Sequence, residues 1–129
     1  MRDDDRVRIL HMVDAAEAVA QFVAGRTRDD LEQDRMLLFA LAHAIEILGE
    51  AANKVSPEVR AVAPQIPWAA IVAMRNRLIH GYFDINTTIV WKTATVNCQH
   101  LANANKFRIY RHLFGGLVTP SAPQHRIRA

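Results

Sequence analysis

Cysteine, glycine, proline and aromatic residues are all scarce in this chain of 129 residues, which holds one Cys, five Gly, five Pro, two Trp, two Tyr and five Phe. A lone Cys98 cannot form an intrachain disulfide, so a disulfide-stapled scaffold is excluded and the thiol reads as a small core residue. Few turn formers and few aromatics, set against abundant Ala and Leu, argue against a sheet protein and for an all-α one. Long apolar runs are missing too. The strongest, Met36 to Leu48, is interrupted by His43 and Glu46 and falls short of the roughly 20 residues that cross a bilayer, so no membrane partner is expected. The start, Met1-Arg2-Asp3-Asp4-Asp5, has no apolar signal core, and a cytoplasmic location is the expectation. Acid is absent after Asp84, whereas Lys92, Lys106, Arg108, Arg111, Arg126 and Arg128 follow. That end would attract a polyanion, or its cations simply solvate a helix end and a tail.

The length suits a single domain. Apolar residues at three-and-four spacing (Ile9, Met12, Val13, Ala16, Ala20, Val23) predict a helix over about Asp3 to Ala24, with acids complementing the dipole at its start and Gly25 as its stop. Thr27 is a candidate N-cap for a second, central helix running through Leu31, Leu38, Leu41, Ile45 and Leu48 to Ala52. Gly49 in its interior predicts the close approach of a neighbouring helix or protomer. Ser56-Pro57 starts a short helix that Pro64 ends, and Pro67 starts the next one. A final basic helix should begin after Asp84 or Asn86 and run to about Leu113. The expectation is an antiparallel four- to five-helix bundle over residues 1–114, with 115–129 as a flexible basic tail broken off by Gly115-Gly116.

The densest chemistry is the window Arg75-Asn76-Arg77-Leu78-Ile79-His80-Gly81-Tyr82. Arg75 offers a planar fork of donors for phosphate, and His80 is of the one side-chain type whose unperturbed charge changes near neutral pH. Together they suit phosphodiester chemistry without a metal. Asn76 lies four residues before His80, on the same helical face, whereas Arg75 is five residues away and about 140° around the axis, so it must reach sideways. Cleaving RNA needs a base for the 2′-hydroxyl, positive charge on the phosphorane and an acid for the leaving 5′-oxygen. One His80 cannot easily make both proton transfers, and two copies across a two-fold axis could, unless a water replaces the second histidine. A homodimer with a composite cleft is therefore expected. The plainer alternative is a helix-terminal histidine that caps or faces solvent.

This window has the form R-N-x-x-x-H-x-Y and resembles the signature of the HEPN superfamily, specifically its HepT-like branch of toxin ribonucleases. Further segments carry the same resemblance in order: Ala44 to Ser56, Ile66-Pro67-Trp68, Gly81-Tyr82-Phe83-Asp84 and Val90-Trp91. It spans roughly Leu31 to Leu101. The resemblance implies metal-independent endoribonuclease activity with no cofactor, catalysis by Arg75 and His80 at a dimer cleft, and support or phosphate contact from Asn76 and Arg77. It also implies a cognate nucleotidyltransferase antitoxin of the MntA type, which would silence the toxin by attaching AMP to Tyr82. Without the resemblance, Tyr82 reads equally as a phenol packed between helices. His43, Glu46 and Glu50 form a polar stripe on the central helix, read as a buried polar network or dimer contact at or near the site in preference to a metal site. A non-catalytic helical module that binds a nucleotidyltransferase or a nucleotide, with Arg75 only anchoring phosphate, is the alternative from another functional class.

Overall fold

A computed structural model describes residues 2–80 and 86–103, and among these residues every regular segment is helical. The chain is an all-α bundle, as composition and periodicity predict. The first helix, α1 (Asp3–Val23), buries Ile9, Met12, Val13, Ala16 and Val19 along one side. It ends ahead of Gly25, whose φ of 73° is one that other residues adopt only with strain.

The central helix is not continuous. A short α2 (Arg28–Gln33) begins after Thr27, and α3 (Arg35–Asn53) starts afresh after the single residue Asp34. Asp34 makes the break: its Oδ1 accepts the Leu37 amide at 3.1 Å, and its Oδ2 takes the Arg26 guanidinium at 3.2 Å. A carboxylate that caps a new helix competes with continuation of the old one. The apolar period runs across the break, with Leu31, Leu37 and Leu41 all buried.

α3 is the centre of the bundle, packing against α1 on one side and α5 (Trp68–His80) on another, with α2 and α6 (Thr87–Lys92) also in contact. By length and composition alone it could cross a bilayer, but half of it is buried inside the bundle, as in the core helix of a folded domain. Between α3 and α5 lies α4 (Pro57–Val62), capped by Ser56 and started by Pro57 as the sequence predicts. Arg60 anchors it, donating from Nη2 to the Ala52 and Asn53 carbonyls at 3.0 and 3.1 Å and from Nε to Val55 at 3.2 Å. The Nη2 bonds reach carbonyls in the last turn of α3, and the Nε bond reaches the residue after its cap. The Arg60 guanidinium also sits 5.7 Å over the Trp68 ring, and the Trp68 indole donates to the Ala63 carbonyl at 2.9 Å. The start of α5 is thereby tied to the end of α3.

The final helical run begins where Asn86 caps it, with its Oδ1 accepting the Ile89 amide at 3.1 Å. It comprises α6 (Thr87–Lys92), a π-helical turn (Thr93–Asn97) and α7 (Cys98–Asn103), and it buries Val90, Ala94, Cys98 and Leu101. Cys98 is the core thiol expected from composition, and burial pushes its pKa up to about 12. The predicted continuation to Leu113 and the tail at 115–129 lie outside the described residues, as do Gly81 and Tyr82.

Candidate active-site groove

Arg75 points into a groove because of what α3 lacks opposite it. A β-carbon on Gly49 would lie 2.2 Å from Cβ and 2.9 Å from Cγ of Arg75, closer than atoms can approach. Gly49 therefore lets α5 rest against the α3 backbone and brings the Arg75 stem directly onto it, the close approach that its interior position predicts.

The groove holds about 340 Å³. From α1 come Arg8 and His11; from α3 come His43, Glu46, Ile47, Glu50 and Ala51, with Lys54 just past its end; from α5 come Arg75 and Ile79. Its volume suits a nucleotide-sized group. Arg75 is 22% exposed at its side chain, and its donors are partly committed. Nη2 donates to Glu50 Oε1, and Nη1 donates to Asn76 Oδ1 at 2.8 Å. Nε is buried without a partner. The other Glu50 oxygen lies 3.3 Å from Lys54 Nζ. Hydrogen bonds from Lys54 and then Arg75 hold the Glu50 carboxyl below its ordinary pKa, against the opposing pull of burial.

His80 is the last residue of α5 and is exposed, as are Asn76 and Arg77. Among the described residues no hydrogen bond or ion pair joins His80 to Arg75, in keeping with the wide angle between them on one helix. The polar stripe of α3 is not a buried network. His43 is 74% exposed at its side chain, Glu46 lies one turn on with 4.0 Å between Nδ1 and Oε1, and Glu50 turns to Arg75. Among the described residues no group of three His, Cys, Asp or Glu side chains is arranged to hold a metal ion.

Three groove residues escape sequence reasoning. Lys54 was within reach of it, since Glu50 and Lys54 form an i,i+4 pair of favourable order. Arg8 and His11 were not, because only the packing of α1 on α3 brings them beside Arg75.

Comparison with known proteins places the chain in a family by sequence. The family model described as "Ribonuclease HepT-like" matches residues 12–106. A protein of Thermococcus cleftensis named "Probable ribonuclease HepT" is 33% identical over 82 residues, covering 64% of this chain and 74% of its own. A candidate RNase of Caldanaerobacter subterraneus subsp. tengcongensis is 35% identical over 83 residues, with 64% and 74% covered. A candidate RNase of Methanocaldococcus jannaschii is 30% identical over 89 residues, with 69% and 82% covered. No solved structure matches the chain.

Proposed function

Because the chain belongs to the family of HepT-like ribonucleases, we propose that it is a metal-independent endoribonuclease and the toxin of a toxin–antitoxin pair, with Arg75 and His80 as its catalytic residues. The observation that carries this reading is Arg75 itself, a guanidinium fixed at the edge of a nucleotide-sized groove, with the exposed imidazole of His80 ending the same helix. In the reaction a base takes the proton of the 2′-hydroxyl and O2′ attacks phosphorus. The bond from phosphorus to O5′ then breaks while an acid protonates the leaving oxygen, giving a 2′,3′-cyclic phosphate and a 5′-hydroxyl. Arg75 stabilises the charge that gathers on the phosphorane. Asn76 steadies Arg75, and Arg77 adds positive potential toward the flanking phosphates.

One chain supplies one His80, and the two proton transfers call for a second, so the working unit is a homodimer whose cleft gathers two copies of the helix. The rim of the groove supports this. Ile47 and Ile79 are 44% and 46% exposed there, and Phe39 and Met36 continue the apolar strip along α3. The regulatory partner is a nucleotidyltransferase of the MntA type that attaches AMP to Tyr82. Bulk and negative charge two residues from His80 would keep an RNA phosphate out.

The test is direct. Purified protein in chelator should cut single-stranded RNA, spare DNA for want of a 2′-hydroxyl, and lose activity on Arg75→Ala or His80→Ala. Undiminished cleavage by both variants would refute the assignment. Co-expression with an MntA-type nucleotidyltransferase should add AMP-sized mass increments that disappear in Tyr82→Phe. If the protein folds, binds that enzyme and cuts nothing, the non-catalytic module is the correct reading; the commitment of Arg75 donors to Glu50 and Asn76 within one chain is what favours it.

A further inference from the structure

Glu50 stands outside the arginine-to-histidine spacing of the proposed reaction, yet its carboxylate accepts a hydrogen bond from Arg75 Nη2. We infer that Glu50 is a positioning residue for Arg75: its carboxylate and the Asn76 amide hold the guanidinium by opposite nitrogens and fix the plane it presents to the groove. The inference rests on the assignment of Arg75 to the scissile phosphate.

The donor inventory leads there. A guanidinium has five N–H donors. On Arg75 the Nε donor is buried, one Nη2 donor goes to Glu50 and one Nη1 donor goes to Asn76. One proton remains on each Nη, leaving two donors for phosphate oxygens. Rotation about the end of the side chain would scatter that pair, and two restraints on different nitrogens oppose the rotation. The Arg75 stem is already pinned where it meets Gly49, and Glu50 is the next residue, so backbone and carboxylate act on the same side chain from one stretch of α3.

A carboxylate beside a phosphate site could also work against binding. Here Lys54 balances it from its other oxygen at 3.3 Å, so Arg75, Glu50 and Lys54 together remain a net cation. Glu50 also keeps its bond to Arg75 without needing to leave, because the two free Nη protons lie elsewhere on the guanidinium.

The experiment uses the full chain with a single-stranded RNA substrate and the variants Glu50→Ala, Glu50→Gln, Arg75→Ala and Glu50→Ala/Arg75→Ala. Glu50→Ala should lower kcat by about 10- to 100-fold, the scale of misorienting a reacting group. KM should not rise, since a negative charge near the phosphate has been removed. Glu50→Gln keeps the acceptor oxygen and should recover most of kcat. In the Arg75→Ala background, Glu50→Ala should cost nothing further, because its effect passes through Arg75. Independently of activity, ¹⁵N NMR of the guanidinium should show hindered rotation of Arg75 in the unsubstituted protein and in Glu50→Gln, and averaged Nη signals in Glu50→Ala. Unchanged kcat in Glu50→Ala, additive losses in the double variant, or tighter RNA binding with faster turnover would overturn the inference. A chain that cuts no RNA at all defeats the proposed function alone, and the NMR result then decides the positioning.

Discussion

Asp5 is 3% exposed, and both of its oxygens are used: Oδ1 accepts the Ser56 amide and Oδ2 the Ser56 hydroxyl, each at 2.8 Å. Burial alone would raise its pKa, but the two bonds from Ser56 and the nearby Arg2 outweigh it and hold the carboxyl below its ordinary value of 3.8. A carboxylate depressed in the folded state stabilises that state above its unfolded pKa, and the contribution is lost as pH falls through the folded value. Denaturant midpoints should therefore be steady down to about pH 4 and fall below it. Asp5→Asn should flatten that acid limb. Asp5→Ala, which leaves two Ser56 donors without their acceptor, should cost about 3 kcal/mol at neutral pH by equilibrium unfolding. The sequence makes Asp5 legible as an acid at a helix start, one of three in a row. It does not say which of the three turns inward, because the partner that decides this is 51 residues away. Glu50 presents the same difficulty: its place in a polar stripe is readable, and its bond to Arg75 is not.

Pairs of helices are recorded more plainly where the signal is local. Ser56-Pro57 and Asn86 start helices where the side-chain chemistry says they should. Asp34 is the exception, since it divides an apolar period that Leu31, Leu37 and Leu41 carry unbroken. No glycine or proline marks the spot, and the capping carboxylate draws on Arg26, eight residues earlier. The π-helical turn at Thr93–Asn97 likewise has no signal of its own in the sequence, because one wider turn barely disturbs the spacing of Val90, Ala94 and Cys98. Gly49 is the reverse case, a helix-interior glycine whose meaning the approach of α5 supplies. Gly49→Ala must push α5 away from α3, an overpacking expected to cost about 1–3 kcal/mol. Because the displaced group is the Arg75 stem, RNA cleavage should fall by a larger factor than the loss of folded protein explains. Comparing kcat with the unfolding midpoint of the same preparation checks this.

The bundle as a body was readable from periodicity, and the groove was not, since it exists only where three helices meet and Arg8 and His11 have no pattern of their own. Its rim exposes Ile47 and Ile79 beside charged groups, a surface suited to closure by a second copy. Ile47→Asp should yield a folded monomer by light scattering and helical content, with RNA cleavage abolished; a dimer of normal activity would show that the copies meet elsewhere. The bond between Asp5 and Ser56 has a consequence for how the protein is made. A chain synthesised from its N-terminus carries Asp5 as a solvated acid until Ser56 has emerged, and by then α1 and α3 are complete. Arg75 emerges later still. The latch between the first and fourth helices can thus close while α5 has yet to leave the ribosome.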